Sequence, residues 1–304
     1  MLERILRLIM TVIIFLIIPS KLPVPLLQFG MFTDAQYCDC APEYIPSYQS
    51  HRYFLATPAK MTEAVRTFNS RPLAFTIQLG DTIDRDYQSF SKMIPLYQQL
   101  KSPRYDVLGN HDFPGHNNAA MSALHMEHNY YTFVKQNIRF IVLDTNEIST
   151  YAHPKTSTSY ALAQHYLTQA KNSARPYALE SNGAVSSRQL AWLNTVLKTA
   201  KTARQPVILF SHHAVYPLYK DNVLNREKIL ELIDKYDNVQ VYFNGHTHNG
   251  KYHVRKGVHY VNLKGMVETP DQNAYSIIKL YDNHMQIDGY GREVTRTLQF
   301  RKIY

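Results

Sequence analysis

Beyond an apolar N-terminal stretch, compact apolar runs alternate with segments of helical period. The runs at 26–32, 73–79, 105–108, 138–144, 206–210 and 239–243 are too short for ordinary helices and read as buried strands. Between them, residues 58–68 set Met61, Ala64, Val65 and Phe68 on one helical face, with Thr57 as the expected cap and Pro58 in the first turn. Residues 89–100 predict a second helix, made irregular by Pro95. Residues 187–201 predict another, capped by Ser186 or Ser187, with Leu190, Leu193, Val196 and Leu197 as its stripe and Trp192 off its centre. Residues 226–236 predict one more. The polar stretch 149–181 carries a helix near 160–171 and reads as an insertion. From 251 onward short strands follow at 252–254, 259–263, 274–281 and 285–290, with Asp282-Asn283 as the last turn. Strand–helix alternation followed by a run of strands predicts a layered α/β sandwich, with two central sheets covered by helices.

Five of the apolar runs end in polar motifs. These are Thr33-Asp34-Ala35-Gln36, Gly80-Asp81-Thr82-Ile83-Asp84, Gly109-Asn110-His111-Asp112, Ser211-His212-His213 and Asn244-Gly245-His246-Thr247-His248. In open α/β sheets, function gathers at the carboxyl ends of strands, which is where these motifs fall. Asp81 has two oxygens and a full charge, so it can bridge two cations. Asp34 adds a carboxylate, Asn110 an amide oxygen, and His212, His246 and His248 imidazole nitrogens. In an extended segment His246 and His248 would point the same way, with Thr247 facing the other side. Oxygen and nitrogen donors without thiolate suit Mn, Fe, Zn or Co rather than calcium or a structural zinc. Two such cations would supply a metal-bound hydroxide for in-line attack on phosphorus. His111 is expected to reach a phosphoryl oxygen or leaving group, and Asp84 to orient it and keep it protonated. The histidines outside these motifs, His253 and His259 among them, are expected as ordinary surface or core residues.

The 304 residues allow a large core, and a net charge of +9 attracts anions. No long Lys/Arg run singles out a nucleic-acid groove, so a small anionic substrate fits equally well. Cys38 and Cys40 lie two apart, a spacing expected to be too strained for an easy disulfide. At the N-terminus, Arg4 and Arg7 precede an apolar stretch at 8–18, then Pro19-Ser20-Lys21. This resembles a signal peptide and is shorter than the roughly 20 residues that span a bilayer. Residues 1–21 are therefore expected to be a hydrophobic leader, cleaved or anchoring, with 22–304 as one domain. Export or membrane tethering is the expectation, and a cytoplasmic location the alternative.

The motif order over roughly 25–300 resembles the calcineurin-like metallophosphoesterases. The segment Asp34-Ala35-Gln36-Tyr37-Cys38-Asp39 is similar to their manganese-dependent ADP-ribose/CDP-alcohol diphosphatase branch, with glutamine where other members carry histidine. So are Asn182-Gly183-Ala184-Val185-Ser186 with Gln189-Leu190-Ala191-Trp192-Leu193, and His259-Tyr260-Val261-Asn262-Leu263 with Gly265-Met266-Val267-Glu268-Thr269. The resemblance implies an α/β, four-layer metallophosphoesterase sandwich of two central mixed β-sheets flanked by helices. It implies one metal on Asp34, Gln36, Asp81 and His248, another on Asp81, Asn110, His212 and His246, and His111 with Asp84 as the catalytic pair. The weaker donor Gln36 inclines the pair of divalent cations toward manganese. The implied substrates are nucleoside diphosphate-X compounds such as ADP-ribose or CDP-alcohols, cleaved at the pyrophosphate bond. Tyr37 would stack on the base, and Val185 stands where a base contact would alter substrate choice. The alternatives are a phosphodiesterase or phosphomonoesterase acting on cyclic nucleotides or lipid-linked phosphates, and a metal-binding scaffold without activity.

Overall fold

The computed structural model describes residues 24–115 and 119–301. The leader expected at 1–21, and His116, lie outside the described residues. Among the described residues no helix is long and apolar enough to cross a membrane. In chain order the elements are β1 Leu27–Phe32, β2 Glu43–Ile45, β3 Ser50–Arg52, α1 Thr57–Asn69, β4 Phe75–Gln78, α2 Gln88–Tyr97, β5 Arg104–Asp106, α3 Ala119–Ala123, β6 Tyr131–Lys135 and β7 Ile138–Val142. They continue with α4 Thr158–Asn172, α5 Ser187–Thr202, β8 Val207–Ser211, α6 Arg226–Lys235, β9 Val239–Asn244, β10 Tyr252–Arg255, β11 Val258–Asn262, β12 Ala274–Leu280, β13 His284–Gly291 and β14 Arg296–Gln299.

Two six-stranded mixed sheets form the centre, ordered β14-β13-β12-β1-β4-β5 and β10-β11-β9-β8-β7-β6. Their facing sides interdigitate Phe29, Phe75, Ile77, Phe140, Phe210 and Phe243 in one dry core. Phe29 stacks on Phe75 at 4.6 Å within the first sheet and meets Phe140 of the second edge-on at 5.9 Å. Apolar residues on the far side of each sheet need their own cover. Met61, Ala64, Val65 and Phe68 of α1, with Met93 and Tyr97 of α2, cover the first sheet. Leu193, Val196 and Leu197 of α5, with Ile229 and Ile233 of α6, cover the second. The four-layer sandwich is thus the one expected.

Local signals held with small shifts. Ser186 caps α5 by accepting from the Gln189 N–H. Thr57 is not the cap of α1; it lies inside the helix, its hydroxyl bonded to the Phe54 carbonyl. The 149–181 insertion folds as α4 on a small core of its own, where Ala163, Leu167 and Tyr177 meet Ile148, Ala184 and Leu224. Short β2, β3, β6 and β14 were not legible, because three to five residues carry too little periodicity to register.

The expectation for the cysteines is corrected. Cys38 and Cys40 are disulfide-bonded, with their Cα atoms 5.2 Å apart, inside the ordinary range for the bond. The loop after β1 curls enough to face the two Cβ atoms toward one another, which a spacing of two in an extended chain does not do.

Candidate metal centre

Parallel β1 and β4 run side by side, as do β8 and β9, and each turns sharply at its carboxyl end. The turns are tight: Asp34, Gln36, Asp81, His246 and His248 all have φ between 46° and 67°. Non-glycine residues seldom occupy this left-handed region, and their clustering at one site marks strain held by the surrounding fold. It also corrects the expectation of an extended His246-Thr247-His248 segment. Two left-handed residues make the loop coil, so the two imidazoles join different groups of donors.

One group comprises Asp34, Asp81 and His248, whose donor atoms lie within 4.8 Å of one another. His248 Nε2 is 2.8 Å from Asp34 Oδ1 but out of hydrogen-bond geometry, and it has no hydrogen-bond partner. Gln36 donates Nε2 to Asp81 Oδ2 at 3.1 Å and leaves its Oε1 buried without a partner. In the other group, His212 Nε2 stands 3.2 Å from Asp81 Oδ2 and 3.1 Å from Asn110 Oδ1. The His246 ring lies 5.0 Å from that of His212, and its Nε2 is likewise buried and unpartnered. Asp81 touches both groups. His213 also lies close, but both of its ring nitrogens are engaged, with Thr145 Oγ1 at 2.8 Å and the Ser181 carbonyl at 3.0 Å. It therefore backs the site and ties the insertion to it.

The electrostatics suit cations. Burial, then the neighbouring rings of His213 and His212, holds His246 neutral. Burial and Arg52 lower His248 to about 4. Burial opposes charge on His212 as well, yet Asp81 raises it to about 9. Its Nδ1 faces the Leu79 carbonyl at 2.8 Å, so the proton favoured on Nε2 occupies the place a cation would take. Asp81 is itself drawn well below the usual carboxylate range by His212 and His111, against the penalty of burial. Unpartnered buried donors are costly unless a ligand completes them, and here they gather about the Asp81 carboxylate. The residues fit a pair of divalent cations.

His111 lies at the rim. Its Nδ1 is 2.9 Å from Asp84 Oδ1, and its backbone N–H donates to Asp81 Oδ1 at 2.8 Å. Desolvation works against its charge, but Asp81 and Asp84 outweigh it and raise the imidazole to about 9. Cations on Asp81 would offset that carboxylate's pull and leave Asp84 to hold the proton.

A calcineurin-like phosphoesterase family model matches residues 56–250. The chain belongs to that family. It is 30% identical to the mouse (Mus musculus) manganese-dependent ADP-ribose/CDP-alcohol diphosphatase, over 93% of this chain and 96% of that one. It is 29% identical to the human enzyme of the same name, over 91% and 94%. A dimetal phosphatase from Danio rerio superposes with a TM-score of 0.84 at 23% identity, covering 91% of this chain and all of that one. As a calcineurin-like phosphoesterase, the protein is a hydrolase.

Three groups around this phosphoesterase site had no expected role. Asp112 accepts from the N–H groups of Asp81, Thr82 and Gly109 at 2.8–2.9 Å, pinning two motif loops together. Burial and Asp81 push its carboxyl up to about 7. Glu268 accepts from His248 Nδ1 at 2.7 Å and pairs with the buried Arg52. Such outer carboxylates fix a ligand's tautomer and orientation. Asp112 closes the Gly109-Asn110-His111-Asp112 motif and Glu268 stands in the family-like segment 265–269, which marked both residues without giving them a role; nothing signalled Arg52. Gly109 is required because a Cβ there would overlap the Asp81 carboxylate.

Of the two expected substrate contacts, Tyr37 is half-buried beside the site, its carbonyl accepting the Asp84 N–H at 2.8 Å. Val185 is corrected: at 1% exposure it lies in the core beneath α5, its N–H held by Asn225. Periodicity placed it just before a helix and could not tell which way it turned.

Proposed function

We propose that this chain hydrolyses the pyrophosphate bond of nucleoside diphosphate-X substrates such as ADP-ribose or CDP-alcohols, with manganese as the working metal. The observation that carries this reading is the set of buried, unpartnered donors, Gln36 Oε1, His246 Nε2 and His248 Nε2, gathered about Asp81. Similarity to relatives named for this activity along nearly their whole length supports the substrate class. One cation would be held by Asp34, Gln36, Asp81 and His248, the other by Asp81, Asn110, His212 and His246. When bound, such a pair supplies water of lowered pKa and positive charge against the phosphoryl oxygens.

The chain's own residues do the rest. Asp84 holds the His111 ring by Nδ1 and leaves Nε2 to give its proton to the departing phosphate oxygen. Water adds to one phosphorus, the P–O–P bridge breaks, and a nucleoside monophosphate and the phosphate ester of X are released. Glu268, backed by Arg52, keeps the His248 ring fixed. Tyr37, adjoining Asp84, is assigned to the base. Beside His248 a cleft of about 420 Å³ opens between hairpin residues 46–50 and Tyr219, Lys251 and Glu268, room for the rest of the substrate.

The test is release of AMP from ADP-ribose by the manganese-loaded protein, with Asp81→Asn as control. AMP from the parent and none from the variant supports the reading. Cleavage of a generic aryl phosphodiester without AMP would refute it and turn attention to cyclic nucleotides or lipid-linked phosphates.

A further inference from the structure

The parallel strands that carry the metal motifs at their carboxyl ends present their amino ends to the opposite pole of the sandwich. Antiparallel pairing brings the β6–β7, β10–β11 and β12–β13 turns to the same pole. There the two sheets meet around a cleft of about 470 Å³, lined by Leu26, Ile138, Pro206, Tyr281 and Phe300. This pole lies a strand's length from Asp34, roughly 20–25 Å. Neither the five motifs nor the catalytic pair uses it.

Its charge is predominantly positive. Arg71 precedes β4, Lys101 precedes β5, Lys135 closes β6 and Arg204 precedes β8. Arg71, Lys101 and Arg204 are exposed and Lys135 is half-buried, and none of the four is ion-paired among the described residues. Nearby carboxylates are already engaged, Asp237 with Lys201 and Asp234 with Arg255 and Lys256. The exposed Asp282 offsets one charge. At the other pole the carboxylates of Asp34, Asp81, Asp84 and Asp112 gather at the metal centre, so charge is divided along the strand direction.

The chain also enters the domain at the basic pole. The Leu26 N–H donates to the Leu280 carbonyl at 2.7 Å just before β1, and Val24 and Leu26 are 83% and 44% exposed. Residues 1–21, with their apolar stretch at 8–18 between Arg7 and Lys21, therefore join the domain here. A basic surface alone suits nucleic acid as well. Joined to an apolar segment, and with apolar side chains at its centre, it suits a bilayer better: alkyl groups enter the interface while the cations meet anionic headgroups.

We propose that this pole is a docking face for membranes rich in anionic lipid, and that it holds the metal centre toward the aqueous side. This placement is independent of which phosphate compound the site cleaves.

The test is partition of the full chain into sedimented vesicles, of phosphatidylcholine alone or with about a third phosphatidylglycerol. A cation at an anionic surface strengthens binding about fivefold, so the four cations net of Asp282 should favour the mixed vesicles by at least about a hundredfold at low salt. In molar salt, where the screening length falls to about 3 Å, the preference should collapse. Replacing Arg71, Lys101 and Arg204 together by glutamate should cut the preference about a hundredfold and leave binding to phosphatidylcholine unchanged. Lys155→Glu, Lys171→Glu and Arg175→Glu together alter the net charge equally, at exposed residues of the insertion, and should keep the preference. All six side chains are exposed, so both triple variants should keep the parental thermal midpoint. A parent without preference for the mixed vesicles overturns the proposal. An equal loss in both triple variants also overturns it, since net charge alone would then act. Duplex DNA binding that is lost in the Arg71, Lys101 and Arg204 variant, with vesicle partition unchanged, would overturn it in favour of a nucleic-acid face.

Discussion

Glu268→Ala probes how the metal centre is held. The Glu268 carboxylate receives the His248 Nδ1–H at 2.7 Å and neutralises Arg52, whose side chain is 7% exposed. Losing a hydrogen bond to a charged acceptor costs about 1.5–3 kcal/mol, roughly tenfold to a hundredfold in affinity for the cation that His248 would hold. The cation assigned to His212 and His246 should be little affected, because neither residue touches Glu268. Truncation also strands a buried guanidinium, at a cost of about 3–5 kcal/mol of stability and a fall in midpoint on the order of 10 °C. Glu268→Gln keeps an oxygen for His248 and loses only the charge, so its manganese affinity should fall less than that of the alanine variant. Calorimetric manganese titration should resolve two classes of site in the parent, with one class selectively weakened in Glu268→Ala. If both classes keep parental affinity while the midpoint drops, Glu268 merely neutralises Arg52 and does not position His248. If both weaken equally, the division of ligands between two cations is wrong.

Two further outcomes are expected. His111→Ala should lower turnover about a hundredfold with manganese stoichiometry unchanged; loss of manganese instead would make His111 a ligand. Asp106 is buried with its Oδ1 unpartnered, and burial raises it from 3.8 to about 6. A carboxyl with a raised folded-state pKa imposes no penalty below its unfolded value, and its full penalty appears once the pH exceeds the folded one. Asp106→Asn should therefore be more stable than the parent at pH 7, by up to about 3 kcal/mol, with the gap closing between pH 6 and 4. An equal gap at pH 4 and pH 7 in denaturant titrations would refute that cause.

Much of this architecture could be read from the chain because its signals are local. The stripe Met61, Ala64, Val65 and Phe68 has one sensible helical face, and all four are buried. Strands that end in Asp34, Asp81, Asn110, His212 and His246 announced a site because parallel packing brings their carboxyl ends together wherever the sheets lie. Residue type and position relative to a strand end determined which side chains would meet.

How they meet was decided only by the folded chain. Left-handed turns at Asp34, Gln36, Asp81, His246 and His248 are disfavoured in isolation and persist because both sheets and their loops brace them. They coil the His246-Thr247-His248 loop, which alternation would have left extended, and set the two imidazoles in the different donor groups that the family resemblance implied. Arg52 and Glu268 are 216 positions apart, so their ion pair has no sequence signature. The curl that joins Cys38 to Cys40 and the inward turn of Val185 have the same origin. Each depends on distances between segments remote in sequence, and only the completed packing of the two sheets sets those distances.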